Sequence, residues 1–194
     1  PLRNWFNEFY ARDTSKKIRA VKQAKAQKGE RVNGEVPYGY IADPNDRNHL
    51  ISDPETAHVV KQIFAMYVQG DRVCDIQRWL KEHEILTVGE LRYRRTGSTR
   101  HPRPQQSAWY SWPDKTLYDI LARKEYLGHT FTGKSYKVSY KSKKTKRIPE
   151  EKQYFFPNTH EPLIDEETFE LAQKRLANRH RCTRVDEVDI FSGL

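Results

Sequence analysis

The apolar positions along the chain fall into four helical stretches separated by segments of a different kind. Val60, Ile63, Phe64 and Tyr67 repeat at three- and four-residue spacing until Gly70 and predict a helix with one buried face. Ser52-Asp53-Pro54-Glu55 marks its start, because Asp53 can cap free N–H groups and Pro54 suits a first turn. Val73, Ile76 and Leu80 predict a second helix over 73–84, with Trp79 at the edge of its apolar face and Cys74 near its start. Ser111-Trp112-Pro113-Asp114 opens a third, to about Lys124, and Asp165-Glu166-Glu167 caps a last one with Phe169, Ala172 and Leu176 inward. Residues 126–157 read as two strands around the lysine-rich tip 141–146. Residues 86–111 hold Tyr93, Gly97, Pro102, Pro104, Trp109 and Tyr110 with no clean period, and read as a long loop.

Residues 3–28 form a different kind of helix. Its only apolar stripe is Ile18, Val21 and Ala24 or Lys25, too thin to bury the helix, so it must meet another subunit, a missing domain or a polyanion. It runs through Gly29 into Arg31-Val32-Asn33-Gly34-Glu35-Val36-Pro37-Tyr38-Gly39-Tyr40, which has the glycines and proline of an extended connector. The fold class is therefore α+β, mainly helical: a helix-turn-helix-like core, a β-hairpin and a long N-terminal connector helix.

Charge sharpens this. The 194 residues carry +9 net, and it is segregated. Residues 1–31 hold nine Lys/Arg against three Asp/Glu, 86–105 five against one, and 134–152 eight against two. Three basic blocks on an otherwise acidic chain favour a nucleic acid partner. Two cysteines, Cys74 and Cys182, give neither a disulfide framework nor a zinc pair, and the context reads as reducing. The seven histidines are scattered without ligand spacing, and no phosphate-cradling glycine loop or membrane span is present. Neither cofactor, metal site nor catalytic residue is expected. Tyr93-Arg94-Arg95-Thr96-Gly97-Ser98 approximates a Tyr-x-Arg-x-Ser nucleophile signature, but its serine comes one residue late.

On the third helix, 100° per residue places Leu117, Ile120 and Leu121 together and turns Lys115, Asp119, Ala122 and Arg123 outward. A short helix with a small polar outer face suits a major groove. Lys115, Thr116, Asp119 and Arg123 are the candidate base readers. Arg31, Asn33, Tyr38 and Tyr40 on the connector, Arg92, Arg94 and Arg95 in the insertion, and Lys134, Lys141, Lys143 and Lys144 on the hairpin are the candidate backbone contacts. A helix-turn-helix transcriptional regulator fragment, and behind it an RNA-binding module, are the alternatives.

Gly34-x-x-Pro37-Tyr38-Gly39-Tyr40, then Ile51-x-Asp53-Pro54-Glu55-x-Ala57-x-x-Val60-x-x-Ile63-Phe64, resembles the recombinase domain of large serine recombinases. Trp112, Leu117-x-x-Ile120-Leu121, Tyr126-Leu127-Gly128 and Asn158-Thr159-His160-Glu161-Pro162-Leu163-Ile164-Asp165-x-x-Thr168-Phe169 continue the resemblance, which spans roughly residues 31–180. It implies a connector helix over 1–30 that ends a resolvase-type catalytic domain, a DNA-binding domain over 31–180, and a linker over 181–194 toward a zinc ribbon. It further implies a parent enzyme for integration, excision or transposition of a mobile element. That parent would be encoded by a bacterium or phage, lie in the cytoplasm at the nucleoid, and act with other recombinase subunits on an attachment site. This chain lacks the serine-bearing domain and the zinc cysteines, so the resemblance implies that it binds double-stranded DNA without cutting it.

Overall fold

The computed structural model describes residues 2–31, 36–46, 48–97, 105–139, 141–142 and 144–178. Helix α1, Leu2–Gln27, is about 39 Å long at 1.5 Å per residue. Ile18 and Val21 stay more than half exposed, so the thin stripe is left uncovered, and among the described side chains of the helix only Ala26 near its end is buried. The helix stops where the Glu30 N–H reaches the Lys25 carbonyl and the Gly29 N–H reaches the Ala26 carbonyl. That closure needs the left-handed conformation Gly29 adopts, at φ +77°.

The core is built on α2, Ala57–Gln69, which buries Val59, Val60, Ile63, Phe64 and Tyr67. Against it pack α3, Val73–Glu82, then α5, Asp114–Leu121, and α6, Glu166–Ala177. Ile76 and Leu80, Leu117 and Leu121, and Phe169 and Ala172 close that core, with Tyr126 fully buried among them. Helix α2 starts one turn later than the sequence predicts. Asp53 still organises the entry: its carboxylate accepts from the Thr56 hydroxyl at 2.5 Å and the Glu55 N–H at 3.1 Å. Its carbonyl takes the Thr56 and Ala57 N–H groups, so residues 54–56 form a turn before the helix proper.

The expected long loop over 86–111 is a misreading for much of its length. Helix α4, Val88–Thr96, lies inside it, and among the described residues a 3-10 turn, Gln106–Ala108, follows. Its only buried residues are Leu91 and Glu90, so a buried carboxylate stands where periodicity looks for a hydrophobe. Arg94 makes that tolerable, donating to Glu90 at 3.0 Å while lying 5.0 Å over the Trp109 ring. Helices α3 and α5 touch as in a helix-turn-helix, but an excursion containing α4 replaces the short turn.

Strands β1, Tyr40–Ala42, and β2, Leu50–Ser52, form one small antiparallel pair. The expected hairpin is present in two sections. β3, Thr130–Thr132, pairs with β6, Tyr154–Phe156, and beyond a break at Gly133, φ +73°, β4, Ser135–Lys137, pairs with β5, Thr145–Arg147. The inner section holds α1: Thr132 Oγ1 donates to the Ala26 carbonyl at 2.7 Å, and Gly29 sits against the Phe156 ring.

Candidate nucleic-acid interface

Helix α5 is anchored at both ends, which leaves its outer face free to present side chains. At its start Gln77 of α3 donates to the Trp112 carbonyl at 2.7 Å and to Asp114 at 2.6 Å. Buried Trp112 donates to the Ile85 carbonyl and packs edge-on against Tyr38, with ring centres 5.1 Å apart. At its end Gln173 of α6 donates to the Leu121 carbonyl at 2.7 Å. Leu117, Ile120 and Leu121 face inward as the 100° rule requires, while Lys115, Asp119 and Ala122 are exposed and Thr116 and Arg123 half-buried. Lys115 and Asp119 pair at 3.0 Å, both largely in solvent, so the pair contributes little and is easily exchanged for other partners.

That face opens into a cleft of about 1570 Å³ bounded by α1, the connector, α4, α5 and the hairpin. Besides the largely buried Tyr38, six of the candidate residues meet there from different segments: Arg31, Arg92, Thr116, Asp119, Arg123 and Lys134. Its electrostatics are those of a cation-rich floor. Burial pushes the Arg31 guanidinium below its ordinary value; Glu125 opposes this and Arg123 reinforces it. Arg31 and Arg123 are thus close enough to repel, and a negative group in the cleft would relieve both. Lys134 is drawn to Glu125 on the same wall.

The other candidates are placed differently. Tyr38 and Tyr40 are core residues, 8% and 3% exposed, so neither ring can lie along a sugar-phosphate backbone. Tyr40 stacks with Tyr126 and donates to the Glu161 carbonyl at 2.7 Å, because a connector of so few residues can re-enter the body only by burying its aromatics. Arg94 and Arg95 are tied inward as well: Arg94 to Glu90, and Arg95 to Asp53 at 2.8 Å and to Glu55. Arg95 clamps α4 to the entry of α2, Arg94 holds Glu90 within α4, and neither is among the cleft residues. Lys115 stands on the exposed rim, Lys141 pairs with Glu8 of α1, and Lys144 is exposed on the hairpin. Asn33 and Lys143 lie outside the described residues.

Two groups were missed. Thr14, Ser15, Arg19 and Lys22 line the cleft from α1; three- and four-residue spacing of small and basic side chains is the signal that could have found them. Lys137, Lys146 and Arg147 stand on the hairpin strands, where period-two alternation was the available signal. Trp5, Phe6, Phe9 and Tyr10 also form an exposed aromatic end to α1, with Trp5 stacked on Phe9 at 5.7 Å. Among the described residues no cluster of His, Cys, Asp or Glu could hold a metal ion, and no helix is long and apolar enough to cross a membrane. Buried His160 is structural: one ring nitrogen meets the Glu125 carbonyl at 2.8 Å, the other Thr159 Oγ1 at 2.9 Å.

A solved structure described as "Crystal Structure of a LSR-DNA Complex" is similar to this chain, with a TM-score of 0.46 and 16% sequence identity. The similarity covers 83% of this chain and 39% of that one, so the chain spans well under half of its relative's length. Residues 54–179 match the Recombinase family, a stretch that includes α2, α5, the hairpin and α6. From its helical core to the wall that α5 gives the cleft, the chain belongs to the Recombinase family.

Proposed function

We propose that the chain is the DNA-reading domain of a site-specific serine recombinase, and that its cleft takes duplex DNA beside the crossover point. The observation that carries this reading is the convergence of Arg31, Arg92, Thr116, Asp119, Arg123 and Lys134 on one cleft, in a chain of this family. Cations placed there neutralise phosphates and give a steeply salt-dependent affinity. Asp119 and Arg123 stand four residues apart on α5 and supply opposite chemistries. The carboxylate accepts from a cytosine amino group, and the guanidinium donates to guanine O6 and N7. The relative described as a complex with DNA is consistent with this reading.

The nucleophilic serine would belong to a catalytic domain preceding α1, so this chain positions DNA and leaves strand cleavage to that domain. Its partners in the working enzyme are an attachment site and further recombinase subunits, at the nucleoid of a bacterial cytoplasm. The test is selection of bound sequences from random duplexes followed by footprinting, with single strands and structured RNA as competitors. A protected block of about one to one-and-a-half helical turns on a defined sequence is expected. Protection independent of sequence, or preference for RNA, would overturn the reading.

A further inference from the structure

We propose that the β4–β5 ribbon is a second DNA-gripping arm, closed against α1 in the free protein and released from it when duplex enters the cleft. The inference rests on the DNA reading above and adds where the duplex is held and what must move.

All six strand residues of the ribbon are exposed. Two-stranded ribbons are marginal in water unless something packs on them, so this one is built to be covered. What should cover it follows from its charge. Among the described residues Lys137, Lys144, Lys146 and Arg147 have no acidic partner, so four cations stand close together on one ribbon without a neutralising carboxylate. The register sets Tyr136 opposite Lys146 and Lys137 opposite Thr145, so alternation carries positive charge to both faces of the ribbon.

The position of the ribbon supplies the movement. Residues of α1, α5 and the ribbon line the same cleft, so a duplex laid against α5 meets both the ribbon and the helix it is joined to. Lys141 near the ribbon tip pairs with Glu8 of α1 at 2.5 Å, joining residues 133 apart in sequence. Both side chains are more than half exposed, so the pair is weakly held, and a DNA phosphate can replace the Glu8 carboxylate on Lys141. Glu8 thus occupies in the free protein the place a phosphate takes in the complex. The break at Gly133, between the inner section and the ribbon, is where the arm turns.

The experiment joins the arm to α1 covalently. In the full 194-residue chain with Cys74 and Cys182 changed to serine, Glu8→Cys and Lys141→Cys are bridged by a bis-maleimide of about 10 Å. Bridging before DNA is added should weaken binding to a selected duplex at least tenfold. Adding the bis-maleimide after complex formation should give at least tenfold less bridged product, because the duplex holds the arm away from α1, and an unchanged yield would overturn the release. Equal affinity with and without the bridge overturns the arm. If the unbridged protein binds no duplex at all, the DNA reading itself fails. A second variant, Lys137→Ala/Lys144→Ala/Lys146→Ala/Arg147→Ala, should lower the slope of log affinity against log salt by about three to four. An unchanged slope would equally overturn the arm.

Discussion

The Tyr126 hydroxyl donates to the Tyr38 carbonyl at 2.8 Å, joining residues 88 apart in sequence. Tyr38 belongs to the connector and Tyr126 follows α5 directly. A single buried bond therefore holds the point where the chain re-enters the body against the end of the proposed reading helix. It sets how α1, and whatever lies beyond it, is aimed relative to that helix.

Tyr126→Phe keeps the ring and leaves the Tyr38 carbonyl without this partner. The phenol is fully buried and is held well above its usual pKa, so it stays a neutral donor at every working pH. The loss should be about 1–3 kcal/mol, read as a lower denaturant midpoint at unchanged slope. A midpoint equal to the parent's would show the bond to be dispensable.

The Asp53 cluster should set part of the acid limit of stability. Burial pushes the Asp53 carboxyl up, but hydrogen bonds from Arg95, Thr56 and the Glu55 N–H more than reverse this and hold it below its ordinary value. A depressed acid stabilises above its unfolded pKa, about 3.9, and that stabilisation is lost as pH falls through the lower folded value. Arg95→Ala should flatten this share of the fall on acid titration. It should also cost about 1–3 kcal/mol at neutral pH, less than for a fully buried pair because Arg95 is itself one-third exposed. Parallel pH–stability curves for parent and variant would count against the pairing.

Gly128→Ala tests the joint after α5. Gly128 has φ +84°, and an added Cβ would stand 2.6 Å from the His160 carbonyl oxygen, a backbone atom that cannot swing away. The Thr159 N–H also bonds the Gly128 carbonyl at 2.9 Å. Strain and clash together should cost at least about 2 kcal/mol, and thermal unfolding of the variant measures it.

Arg123→Ala and Lys146→Ala should separate two kinds of DNA contact. Arg123, on the floor of the cleft, should relax preference for the selected sequence by about 1–3 kcal/mol at one position. Lys146, on the exposed ribbon, should weaken cognate and random duplexes alike and reduce the salt slope by about one. Equal losses on both duplexes for both variants would sink the distinction.

How much was legible in the chain depended on how local each cause is. The faces of α2, α5 and α6 followed from apolar spacing, since a helix buries whatever lies on one stripe. Asp165 likewise caps α6 as expected, accepting from the Thr168 N–H at 2.8 Å. Helix α4 escaped because its inward face carries Glu90, a residue that becomes burial-tolerant only once Arg94 and Trp109 are beside it. Tyr38 and Tyr40 misled for the same reason. Aromatics beside basic residues look alike whether they face a phosphate or a core, and only their neighbours Trp112, Tyr126 and His160 tell which.

By itself the sequence determined the helical core, the two-stranded hairpin, the segregated charge and the outward side chains of α5. Each of these comes from periodicity or composition, which act over a turn or a strand. Tertiary structure decided which cations are drawn to carboxylates at the entry of α2 and which line a cleft. An ion pair such as Arg95–Asp53 spans 42 residues, and the convergence of Arg31, Arg92 and Arg123 spans more than 90. Pairing of this kind is settled by where the packed core brings distant segments together, and charge counted along the chain carries no record of it.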